Sequence, residues 1–353
     1  MSTESAPVRT GQKIRGYCYL RAVACVAVIA LHTVNVAEIL YRDGMTTAQT
    51  ASSLATVYAL MWAVPCFVMV TGALLLDPAR DVTLEKIFKK YIFRVGGALI
   101  LWGLVFRCFD LLMNREPFGV LPLLKGLVNV FTGESWAHLW YLYLLIGIYL
   151  LLPFYRLIAV HSSERLLRYL LAVYVLFLSL LPMTRLFGVE SGFYIHVSTI
   201  YPFYLFAGYA ISKKTLRLNL PAAAALTLCA TAATVGLTFY RWYAPAEVLD
   251  TLLTGYSSIF VLLQSVGLFS LFAAVRGEKA PSLFGRFLLF IDANAFGIYL
   301  IHMIWIRLVL RYMAVNPYET GIWLFPVLIA ANLAVSAVII AGLRRVPGIR
   351  RFL

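Results

Sequence analysis

The sequence predicts an all-α integral membrane protein of about ten transmembrane helices with both termini in the cytoplasm. Three observations predict it. Of 353 residues, 62% are hydrophobic and only 13% are charged, a balance that soluble globular domains do not show. Apolar stretches of about twenty residues, the length a bilayer requires, recur along the whole chain. Lys and Arg alternate between the connecting segments, 21 on one side and eight on the other, which is the positive-inside pattern. That distribution also accounts for the net charge of +14 without nucleic acid as a partner, because the basic residues sit in short connections.

The spans read in order as 17–40, 54–76, 91–112, 138–155, 166–182, 193–211, 218–240, 254–275, 293–313 and 322–343. They form one transmembrane domain over 1–353, with a polar N-terminal segment at 1–15 and a basic tail at 344–353. The longest loop, 113–137, is expected outside the cytoplasm, and no internal repeat or low-complexity segment stands out. The apolar run from Ala22 to Leu40 is long for the core of a secretory signal, so the first span is expected to stay in place. Cys18, Cys25, Cys66, Cys108 and Cys229 lie in or beside apolar segments with no metal-ligand spacing, and read as packing residues. No metal and no tightly bound cofactor is expected.

The first span carries the strongest functional signal, because ionisable side chains inside a bilayer are expensive and mark functional sites. Arg21 and His32 are eleven residues apart, which is roughly 1100° of helix rotation, so both lie on one face. Tyr17, Cys25, Val28 and Asn35 extend the stripe. Arg21 either snorkels to the cytoplasmic interface or anchors a phosphate there. His32 is either a hydrogen-bonded bundle residue or a general base. In the second span, Gly72 permits close backbone approach by a packed helix or by a ligand; packing is the commoner use. The fourth span opens on Trp136, His138, Trp140, Tyr141 and Tyr143, either an interfacial aromatic belt or a platform for sugar rings. The ninth span places His302 at a depth like that of His32. His161 and His196 fall in loops or at span edges and read as solvated.

These residues resemble the bacterial membrane-bound acyltransferase-3 family over about residues 14–343. Arg21 and His32 match its Arg, ten residues, His signature. Pro65 to Leu76 resembles its "P-x-F-F-x-x-S-G-x-L" segment, with Thr71 for the usual serine. His138-Leu139-Trp140-Tyr141-Leu142 and Gly297-Ile298-Tyr299-Leu300-Ile301-His302 resemble its "H-L-W-F/Y-L" and "G-I-Y-L-x-H" elements. One departure is at the third span, where members often carry two arginines three apart; here Arg94 holds the second place and Tyr91 the first, beside Lys89 and Lys90.

The resemblance implies a stand-alone enzyme of the bacterial cytoplasmic membrane. It would transfer acetyl or another short acyl group from acetyl-CoA or another acyl-CoA to a hydroxyl of a cell-surface polysaccharide or its lipid-linked precursor. It implies His32 as the catalytic residue. Arg21, Lys90, Arg94 and Gly72 become donor-binding candidates, and His138, Trp140, Tyr141 and His302 become acceptor-site or secondary catalytic candidates. Two other classes fit ten spans with buried polar groups: a secondary transporter or glycan exporter, and a non-catalytic partner in an envelope complex. Transporters often show paired interrupted helices and internal pseudo-symmetry, which this sequence does not.

Overall fold

A computed structural model describes residues 15–189, 191–193, 199–241, 249, 252–275 and 280–353. The described residues are helical throughout and contain no strand. In a bilayer every backbone polar group must be satisfied within its own segment, and the helix does this. The polar N-terminal segment before Arg15, His196, Arg276 and Lys279 lie outside the described residues.

Among the described residues eight helices are long and apolar enough to cross a membrane, so the protein is a multi-pass membrane protein. They are Arg15–Gly44, Thr47–Leu75, Leu84–Met113, Ala137–His161, Glu164–Phe187, Leu220–Tyr240, Leu283–Tyr312 and Leu324–Leu343. The expected sixth and eighth spans differ: their helices are Tyr201–Ser212 and Ile259–Ala273, of 12 and 15 residues. Both lie deep in the bundle; residues 194–198 of the expected sixth span lie outside the described residues, and residues 254–257 of the expected eighth are turn and bend ahead of its helix. The loop expected over 113–137 also differs, since it holds the helix Val120–Thr132. Leu121, Leu124, Val128 and Phe131 of that helix are exposed on one side, the amphipathic pattern of a helix suited to an interface.

The elements used below are α1 (Arg15–Tyr41), α2 (Thr47–Ala59), α3 (Ala63–Leu75), α4 (Phe93–Met113), α5 (Val120–Thr132), α6 (Trp140–His161), α7 (Glu164–Val175), α8 (Tyr201–Ser212), α9 (Leu220–Tyr240), α10 (Ile259–Ala273), α11 (Leu283–Ile306) and α12 (Leu324–Leu343). Their order and pairing follow from where small residues permit contact. A Cβ at Gly72 of α3 would lie 1.8 Å from the Leu205 carbonyl oxygen, and one at Gly208 of α8 would lie 2.0 Å from the Met69 carbonyl oxygen. These reciprocal contacts lock α3 antiparallel to α8. Gly267 of α10 is held in the same way against Ala223 and Thr227 of α9.

Several hydroxyls within the spans bond their own helix. Thr33 donates to the Ile29 carbonyl (2.7 Å), Thr234 to Ala230 (2.9 Å), Thr238 to Thr234 (2.7 Å), Ser265 to Val261 (2.6 Å) and Ser270 to Val266 (2.7 Å). This back-bonding lets polar residues sit in an apolar bundle without an unsatisfied group.

The pair that positions the site is α1 with α11. Residue 21 meets residue 292 and residue 32 meets residue 302, so the two helices run parallel. α4 runs the same way, with Arg94 near Phe296 and Asp110 near Arg307. α12 returns antiparallel, with Asn332 near His302 and Arg344 near Ala293. The start of α1 and the end of α12 therefore lie at the same end of the bundle. That end also gathers Lys86, Lys89, Lys90 and Arg94.

Candidate active site

His32, His138 and His302 come together from three helices or their entries. His302 is buried near the C-terminal end of α11, His138 is buried at the entry to α6, and His32 is half-buried on α1. The His302 ring centroid is 5.0 Å from that of His32 and 5.4 Å from that of His138. Sequence spacing had put His32 and His302 at similar depth; the parallel packing of α1 and α11 makes them neighbours.

The tautomers follow from the hydrogen-bond network. His302 Nδ1 lies 2.6 Å from the Tyr299 carbonyl oxygen. A carbonyl only accepts, so Nδ1 carries the proton and the neutral ring offers Nε2 as an acceptor. His302 Nε2 lies 2.8 Å from His32 Nδ1, so His32 donates there. The His32 Nε2 atom is then left with its lone pair. His302 thus fixes the orientation and tautomer of His32.

That lone pair has somewhere to act. His32 lines a narrow cavity with Trp140, Tyr141, Tyr256, Tyr299, Leu60 and Met61. Its volume is about 20 Å³, enough for one water-sized group. His302 and His138 do not line it. His138 packs behind His302, its Nε2 is 3.4 Å from the Leu300 carbonyl, and its Nδ1 is buried with no partner. The Tyr299 hydroxyl donates to the His138 carbonyl, which ties α11 to the start of α6.

A second cluster holds that corner rigid. Asp110 accepts from Trp136 Nε1 at 2.7 Å and from Arg307 Nη1 at 3.2 Å. The Arg307 guanidinium lies 3.8 Å from the Trp136 ring centroid, and Phe106 stacks on the same indole at 4.4 Å between centroids. A cation over an indole, with its charge also neutralised by a carboxylate, is a stable arrangement in low dielectric. It fixes the chain just before His138 and Trp140. Trp140 in turn packs on Tyr256 and Tyr201 at 5.4 and 6.0 Å between centroids.

At the opposite end of the α1–α11 pair, Arg21 grips Asp292 with two bonds, Nε to Oδ1 at 2.7 Å and Nη2 to Oδ2 at 3.0 Å. Asp292 is the partner of Arg21 that sequence reasoning missed. The expected ninth span began at residue 293, whereas its helix starts at Leu283, so the carboxylate sits well inside it. The signal was present: Asp292 precedes His302 by ten residues, nearly the interval from Arg21 to His32. Arg21 is also within electrostatic reach of Tyr141, which lines the His32 cavity.

The other donor candidates are not gathered around Arg21. Arg94 donates to the Leu353 carbonyl and lies over the Phe296 ring at 5.0 Å. Lys90 is exposed on a π-helical segment, Ile87–Ile92, that leads into α4. Gly72 requires correction: the space its missing Cβ leaves is filled by the backbone of α8, so it serves helix packing and offers no face to a donor. Trp140 and Tyr141 are in the wall of the His32 cavity.

The described helices thus form a multi-pass bundle in which His302 orients the His32 imidazole beside a small cavity. The acyltransferase domain model matches residues 15–341, and the chain belongs to the acyltransferase-3 family. It is therefore an acyltransferase, and the transporter and assembly-partner readings fall away. Neither the comparison with curated proteins nor that with solved structures gives a match.

Proposed function

We propose that this membrane acyltransferase moves an acetyl or other short acyl group from acyl-CoA to a hydroxyl of a cell-surface polysaccharide or its lipid-linked precursor, in the bacterial cytoplasmic membrane. The observation that carries the reading is that His32 alone of the three clustered histidines lines the cavity, with its Nε2 lone pair left free by the bond to His302.

The steps balance without a metal. His32 Nε2 takes the proton of the acceptor hydroxyl. The oxygen attacks the thioester carbonyl, the carbon–sulfur bond breaks, and the departing thiolate receives the proton from His32. A positioned base of this kind contributes about 10²- to 10⁴-fold in rate. His302 accepts the His32 Nδ1 hydrogen bond throughout and supports the transient imidazolium. Trp140, Tyr141 and Tyr256 supply aromatic faces for a sugar ring at the cavity. Entry of an acyl group requires the walls between α1, α3 and α6 to part, because the cavity holds only one water-sized group.

The basic end of the bundle faces the cytoplasm in this reading, since it carries most of the 21 Lys and Arg residues on that side. Acyl-CoA approaches there. Arg21, with Nη1 uncommitted after its bonds to Asp292 and Cys18, receives a donor phosphate, while Lys90 or Arg94, at the same end of the bundle but apart from Arg21, adds to the positive field there. A reporter fused after residue 125 should report an extracytoplasmic position.

The test is His32→Ala in purified protein in lipid nanodiscs, with a labelled short-chain acyl-CoA and membrane glycan as acceptor. Folding and CoA binding should stay near wild type while transfer falls by about 10²-fold or more. Full transfer by the folded variant would falsify the role of His32.

A further inference from the structure

A second cavity lies beyond the histidine cluster, at the far end of the long helix that begins at Glu164. It measures about 420 Å³, within the range of about 300–1,000 Å³ that small-ligand sites occupy. Its wall includes Ser179, Thr184, Arg185, Ser191, Phe193 and Ser257. We propose that this cavity is a binding subsite for an anionic sugar residue of the acceptor, with Arg185 taking its carboxylate or phosphate group.

Three observations carry it. First, Ser179 is 3% exposed, and its Oγ has no hydrogen-bond partner. Elsewhere in the described spans, buried hydroxyls such as Thr33, Thr234 and Ser265 bond the carbonyl four residues earlier. Ser179 sits in a π-helical segment, Leu176–Leu180, and makes no such bond. An unmet buried hydroxyl costs free energy unless a ligand meets it, and π-helical turns recur at functional sites. Second, the Arg185 guanidinium lines the same cavity and has no ion-pair or hydrogen-bond partner among the described residues. Its planar fork suits a carboxylate or phosphate. Third, the cavity adjoins the site. Ser257 and Ile259 line it, whereas the neighbouring Tyr256 lines the His32 cavity and packs on Trp140. The Tyr204 hydroxyl holds the Tyr256 carbonyl at 2.6 Å, so this divider is fixed. One glycan could place an acidic residue against Arg185 and the hydroxyl to be acylated beside His32.

The proposal rests on the acceptor being a glycan, and the experiment separates the two claims by measuring binding without turnover. Full-length protein in neutral-lipid nanodiscs is titrated with methyl β-glucuronide, glucose 1-phosphate and methyl β-glucoside, and binding is followed by saturation-transfer NMR. Wild type should bind the anionic probes roughly tenfold more tightly than the neutral one. Whichever of the two anions binds more tightly identifies carboxylate or phosphate as the group read. Arg185→Gln should erase the preference and Arg185→Lys should keep part of it. Ser179→Ala should weaken all three probes about threefold, because it removes a contact to sugar rather than to charge. His32→Ala should bind like wild type. If wild type shows no preference for the anions, or Arg185→Gln keeps it, the subsite is refuted even where His32-dependent transfer stands. If, in a parallel set of nanodiscs doped with anionic phospholipid, Arg185→Gln alters only lipid retention, the arginine is a lipid contact and the proposal fails. If binding behaves as expected but no acyl transfer to any glycan occurs, the subsite stands and the acceptor reading under the proposed function falls.

Discussion

The two ends of the α1–α11 contact are built from the same ingredients and differ in saturation. At the basic end, Arg21 meets Asp292 with a bidentate ion pair, and the carboxylate side chain is 4% exposed. Both Asp292 oxygens are committed. Ten or eleven residues further along the same two helices, His32 meets His302. There the hydrogen-bond chain runs from His32 through His302 to the Tyr299 carbonyl and leaves His32 Nε2 unfilled at a cavity. A saturated buried pair fixes helix register; an unsaturated one retains a lone pair for chemistry. Parallel packing alone delivers both, because matched intervals on two parallel helices bring both pairs into contact.

The sharpest way to break this comparison is to open the saturated end. Arg21→Ala strands a buried carboxylate, and removal of one partner of a buried ion pair costs about 3–5 kcal/mol. Asp292→Ala should cost less, because the Arg21 side chain is 29% exposed and can reach the interface. The double variant should recover much of the loss from Arg21→Ala. Thermal melting of the detergent-solubilised protein by size-exclusion fluorescence checks the order. The double variant also isolates donor binding: if it folds yet no longer binds CoA, Arg21 contacts the donor as well as Asp292. Unchanged CoA binding would make Arg21 purely a register device.

The next effect concerns the unsaturated end. His302→Ala removes the acceptor that sets the His32 tautomer but leaves His32 at the cavity. Activity should fall about 10- to 100-fold in kcat with CoA affinity unchanged, less than the loss on removing the base itself. His302→Gln, whose side-chain carbonyl can accept from His32 Nδ1, should restore part of it. A loss in His302→Ala equal to that in His32→Ala, with no rescue by glutamine, would mean that His302 is itself the base.

Much of this arrangement was legible in the sequence. The Arg21–His32 face was correct because helical periodicity is local, and α11 does cover that face. His302 was legible as a buried histidine at matching depth. The pairing of His32 with His302 was not, because parallel or antiparallel packing of two spans leaves no local trace. Asp292 was lost to a boundary: a hydropathy window ends an apolar span at the first charge, while the helix continues through it when the charge is paired. The short helices at Tyr201–Ser212 and Ile259–Ala273 were read as full spans for the converse reason, since apolar residues packed inside a bundle score like residues facing lipid. Gly72 could be read either way, and only the Leu205 backbone decides that its space is filled by α8.

The smallest effect tests whether the third histidine belongs to the reactive end at all. His138 is buried beside His302, yet it does not line the cavity, and its Nε2 makes only a 3.4 Å contact to the Leu300 carbonyl. What holds the segment is the Asp110–Trp136–Arg307 cluster together with the Tyr299 hydroxyl on the His138 carbonyl. That last bond is to the backbone and survives any substitution of the imidazole. His138→Gln should therefore lower kcat by no more than about threefold, a shift below 1 kcal/mol in barrier. His138→Ala should add a modest stability loss from the cavity it leaves under Phe106 and Trp136, without a larger effect on kcat. Both are read from steady-state transfer at saturating acyl-CoA, with melting curves alongside. A loss of 10²-fold or more in folded His138→Gln would place His138 in the proton path and extend the unsaturated end from two histidines to three.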